Sequence, residues 1–86
     1  MNDLIYRSQE GEITLIYRVF KEKNAYSLTV TLEGERKRET TLRRITENRQ
    51  KADEIARFFA ENAVTPSHAE EIWQETFAFP KLTSRE

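Results

Sequence analysis

Tyr26-Ser27-Leu28-Thr29-Val30-Thr31-Leu32-Glu33 alternates large apolar side chains with short polar ones. Successive side chains of a strand point to opposite faces, so this run predicts a strand whose buried face carries Tyr26, Leu28, Val30 and Leu32. Upstream, Ile13, Leu15, Tyr17 and Val19 form a second inward set, and Leu4 and Tyr6 a third. Gln9-Glu10-Gly11-Glu12 separates those two runs, and Gly11 can adopt the positive φ that a tight hairpin turn needs. With Glu10 and Gly11 as the central turn residues, Leu4 faces Tyr17, Tyr6 faces Leu15 and Ile5 faces Ile16, each pair of like character. Glu22-Lys23-Asn24 breaks the chain before the third strand. Gly34 breaks it before a fourth, about residues 37–44, in which only Thr40 and Leu42 keep the alternation ahead of Ile45.

At Thr46 the period changes. Thr46 or Asn48 caps a helix in which Ala52, Ile55, Ala56, Phe59, Ala60 and Ala63 recur at spacings of three and four, forming one apolar stripe. Thr65 and Pro66 then restart the chain with a capping residue and the residue suited to the first helical position. Ala69, Ile72, Trp73, Thr76 and Phe77 make the second stripe, and Pro80 limits it. The pattern predicts an α+β fold: an antiparallel β-meander of three to four strands followed by two α-helices packed on one face. Residues 1–80 are expected to form a single domain and residues 81–86 a flexible tail.

The 86 residues suit one small core. Cysteine is absent, which excludes a disulfide framework, thiolate zinc sites and cysteine nucleophiles. Only Gly11 and Gly34 are present, so no glycine-rich phosphate loop is available. The start, Met1-Asn2-Asp3-Leu4-Ile5-Tyr6-Arg7, lacks the basic opening and apolar run of a signal peptide. No stretch has the length of a membrane span, and a soluble cytoplasmic protein without a membrane partner is expected. The 14 basic and 15 acidic side chains nearly cancel, but residues 36–51 alone hold 7 basic against 2 acidic ones, a net charge of +5.

Four groups of residues invite a functional reading. His68, Glu71 and Glu75 share a helix face at metal-ligand spacing, yet they project away from the apolar stripe, and no second histidine exists to complete a site. Trp73 lies inside the apolar stripe and is expected in the core. Arg36, Lys37, Arg38, Arg43 and Arg44, with Arg49 and Lys51, offer phosphate contacts, but no aromatic side chain is interleaved to stack on bases. Ile5, Ile16 and Phe20 alternate out of the core set toward the far face of the sheet, and Phe58 falls off its helix stripe; together they are the candidate interface.

Two segments also resemble a known family. Tyr26-Ser27-Leu28 is similar to the Tyr-Gly-Ile segment of a family of small uncharacterised proteins, a domain of unknown function from clostridia and related Gram-positive bacteria. Thr65-Pro66-Ser67-His68, followed by Ile72, Glu75 and Phe77, is similar to that family's Ser/Thr-Pro-x-His run ahead of an acidic amphipathic helix. Ser27 stands where the family has glycine, and Ala69 where it has a larger apolar residue. The resemblance implies a bacterial cytoplasmic setting and no known activity, cofactor or catalytic residue.

The residues therefore predict a non-enzymatic module with no catalytic, cofactor or metal site, which binds another protein or itself. Nucleic-acid binding through the basic 36–51 segment is the alternative.

Overall fold

A computed structural model describes residues 4–78. Four strands, β1 (Leu4–Glu10), β2 (Ile13–Glu22), β3 (Ala25–Glu33) and β4 (Arg38–Thr46), form one antiparallel sheet in sequence order. Two helices follow, α1 (Arg49–Glu61) and α2 (Pro66–Trp73), and α2 runs into a π-helical turn, Gln74–Ala78. The predicted α+β meander is thus observed, with the fourth strand formed. Pro80 and the 81–86 tail lie outside the described residues.

One face of the sheet carries Leu15, Tyr17, Val19, Leu28, Val30 and Leu42, and α1 brings Ala52, Ile55, Ala56 and Phe59 against it. All are buried, as both apolar patterns predict. Ile13 departs from its expected place: it shares the inward parity, but at the end of β2 it is 39% exposed. There it lies beside Gly34, where a Cβ would sit 3.4 Å from its Cγ1.

The first hairpin differs from the expected register. Leu4 pairs with Val19, Ile5 with Arg18, Tyr6 with Tyr17 and Arg7 with Ile16. The turn residues are Gly11 and Glu12, and Gly11, at φ 64°, takes the first central position, where a type II′ turn wants glycine. The shift is two residues, so every side chain keeps its predicted face although its partner changes. Ile5 consequently opposes Arg18, not Ile16.

β4 holds the main irregularity. Tyr26 pairs with Thr46 and Leu28 with Leu42, so Ser27 alone spans Arg43, Arg44 and Ile45. Arg44 sits at φ 51° in this bulge, and its backbone N–H donates to Ser27 Oγ at 2.9 Å. The extra residues bring Ile45 back to the core side beside Leu42, which explains the odd spacing that blurs the strand pattern in sequence.

Asn48, not Thr46, caps α1: its side-chain oxygen accepts from Lys51 N–H at 2.9 Å. Ala63 is not part of the helix. It stands just beyond it at φ 48°, with Ala63 N–H donating to Ala60 O and Val64 N–H to Phe59 O, a Schellman ending in which buried Val64 and Phe59 supply the apolar contact. Thr65 precedes α2 as expected, but its hydroxyl makes no cap bond; it lies 3.1 Å from His68 Nδ1. Trp73 is only half-buried, packed against the core beside Leu42 and Ile45 of β4, and Thr76 is exposed. The Trp73 indole Nε1 is enclosed without a hydrogen-bond acceptor among the described residues.

Candidate functional site

Both helices pack on one side, and no described element covers the other face of the sheet. Register fixes what that face displays. One row runs Ile5, Arg18, Thr29, Thr41 across the four strands, and the next runs Arg7, Ile16, Thr31, Glu39. Ile5 is 51% exposed, whereas Ile16 and Phe20 are half-buried. The guanidinium of Arg18 lies 4.9 Å from the centre of the Phe20 ring. The sequence-predicted trio therefore shares one face, with Arg18 set among its members rather than a continuous apolar patch.

Small residues on β3 organise the centre of this face. Ser27, Thr29 and Thr31 are buried there despite being polar, because the longer Phe20, Arg18 and Ile16 of β2 stand beside them, with Glu39 of β4 beside Thr31. Each hydroxyl has a partner: Ser27 donates to Glu22 Oε1 at 2.9 Å, Thr31 donates to Glu39 Oε2 at 3.0 Å, and Thr29 Oγ1 lies 3.2 Å from Thr41 Oγ1. Glu22 also pairs with Arg43. The Ser27 hydrogen bond, followed by the Arg43 guanidinium, holds the Glu22 carboxyl below its ordinary pKa.

Phe58 lies elsewhere. Its ring meets Phe77 edge-on at 5.4 Å, on the helical side of the molecule, so it does not join the outer-face residues. It lines a groove with Asn62, Val64, His68 and Ile72.

The basic residues do not converge. Arg36 and Lys37 lie in the loop before β4, Arg38 opens β4 opposite Leu32, Arg43 is tied to Glu22, and Arg44 occupies the bulge. His68, Glu71 and Glu75 are all exposed, and no cluster of three metal-ligating side chains occurs among the described residues.

One polar cluster escaped the sequence reading. The Tyr6 hydroxyl donates to Asp53 Oδ1, and Arg57 donates to Asp53 Oδ2 at 2.9 Å. The cluster borders a cleft between β1 and the start of α1, lined also by Leu4, Asn48, Arg49 and Gln50. Tyr6, then Arg57, lowers the Asp53 pKa, while the hydrogen bond to Asp53 raises that of Tyr6. Both carboxylate oxygens are engaged and the charged form is favoured, which opposes work as a general base and suits a tie between β1 and α1. The Asp53–Arg57 spacing of four was visible in sequence; the tyrosine from β1 was not.

A family model described as "Family of unknown function (DUF6514)" matches residues 3–78. No curated protein and no solved structure matches the chain.

Proposed function

The chain belongs to the DUF6514 family of unknown function, the match spanning nearly all of it, and from that premise we propose a non-enzymatic interaction module that binds protein through its outer sheet face. A bacterial cytoplasmic setting is part of the same proposal. The observation that carries it is Ile5, half-exposed on a sheet face that no described element covers. Phosphate contact by Arg36, Lys37, Arg38, Arg43 and Arg44 has less support, since these side chains are spread over a loop, a strand end and a bulge, and Arg43 already pairs with Glu22.

The chain contains no cysteine, so one introduced thiol gives one attachment point for a photo-crosslinker. Gln9→Cys places it on the outer face, and Glu61→Cys at the end of α1 serves as control. Adducts formed in a cell extract from Gln9→Cys, but neither from Glu61→Cys nor from Gln9→Cys carrying Ile5→Lys, are the expected result. Equal adduct formation from both attachment sites, or none from either, would refute the proposal.

A further inference from the structure

We propose that the occupant of the outer sheet face is a second copy of this chain, docked face to face about a two-fold axis that runs along the strands between β2 and β3. This deepens the interaction reading above and rests on it.

The argument is one of register and charge. Such an axis exchanges β1 with β4 and β2 with β3 across the interface. Arg7 and Glu39 occupy the two ends of one row, through the successive pairs Arg7 to Ile16, Ile16 to Thr31 and Thr31 to Glu39. The rotation therefore brings Arg7 of each copy over Glu39 of the other, giving two equivalent opposite-charge contacts. The row above places Ile5 over Thr41 in the same way, and both residues are exposed. Between these flanks, Ile16 of each copy comes over Thr31 of the other, a branched apolar side chain over a shorter one, and Arg18 comes over Thr29, which brings one guanidinium from each copy near the axis and keeps the dimer weak.

Four strands about 4.8 Å apart, each contributing some 25 Å of length, present about 500 Å² per copy. The paired faces thus bury on the order of 1,000 Å², at the lower end for a specific interface, which points to a reversible dimer in the micromolar range. Exchange between monomer and dimer is then expected at ordinary protein concentrations.

The test is sedimentation of the full chain from about 1 μM to about 1 mM, using wild type, R7E and E39R. The wild type is expected to dimerise. Each single variant turns both contacts into like-charge contacts and weakens the dimer roughly tenfold. In an equimolar mixture of R7E and E39R, both contacts become opposite-charge again, and association returns to near the wild-type level. That recovery also shows that each variant folds. A wild type that stays monomeric at about 1 mM overturns this inference, while outer-face crosslinking to a different protein would leave the broader interaction proposal standing. A dimer indifferent to the single substitutions, or one that mixing does not restore, overturns the proposed axis.

Discussion

Replacing Tyr17 with phenylalanine removes one oxygen from the centre of the molecule. The side chain is fully buried, and its hydroxyl donates to Val64 O at 2.8 Å, joining β2 to the connection between α1 and α2. The ring packing survives the substitution, but the Val64 carbonyl loses a buried donor, so the expected cost at neutral pH is about 1 to 3 kcal/mol. The same oxygen has a second signature. Burial pushes the Tyr17 pKa from its ordinary 10 up to about 12. Between those values the unfolded chain releases a proton that the folded protein keeps, so stability falls as pH rises through that window. A shift of this size bounds the loss at roughly 2 to 3 kcal/mol, trimmed by solvent screening. Tyr17→Phe lacks this slope, while Tyr6 and Tyr26 remain in both proteins. Urea denaturation at a series of pH values from neutral to strongly alkaline should show wild type ahead at pH 7 and the gap closing above pH 10. Equal stabilities at pH 7, or parallel alkaline slopes, would refute the reasoning.

At Ala63, glycine should relieve the left-handed backbone at φ 48° and raise stability by up to about 1 kcal/mol, read as a higher thermal midpoint. Trp73→Phe should cost less than about 1.5 kcal/mol, because the indole donor has no acceptor among the described residues, whereas Trp73→Ala should cost about 2 to 4; chemical denaturation separates the two. The lowered carboxyl pKa values of Asp53 and Glu22 stabilise the fold above the ordinary carboxylate range, and that contribution is lost as pH falls through the folded values. Asp53→Asn should therefore lower stability at pH 7 and flatten the acid limb of the stability profile, measured by denaturation from pH 6 downward.

The two periodicities carried most of the architecture. Tyr26 to Glu33 fixed the faces of β3, and the spacing from Ala52 to Phe59 fixed the buried side of α1. Register was less legible: face parity repeats every two residues, so moving the turn from Glu10-Gly11 to Gly11-Glu12 left every inward side chain inward. The bulge at Arg44 left only an indirect trace, the three-residue step from Leu42 to Ile45. Long-range polar pairs such as Tyr6 with Asp53 left none, because a bond across 47 positions depends on how layers stack, which no local pattern encodes. Burial of Ser27, Thr29 and Thr31 was also hidden, since flanking strands and not a helix cover them.

The bulge of β4 bears on whether the sheet can lengthen edge to edge. Fibrils lengthen by adding ribbon to ribbon, and each unit must then offer two usable rims. Here the β4 rim keeps a regular stretch only at Arg38–Leu42 and bends out of line at Arg44, while Leu4–Glu10 is unbroken. Rim-to-rim joining through Leu4–Glu10 therefore leaves each molecule of the pair only the short, kinked rim for a further neighbour.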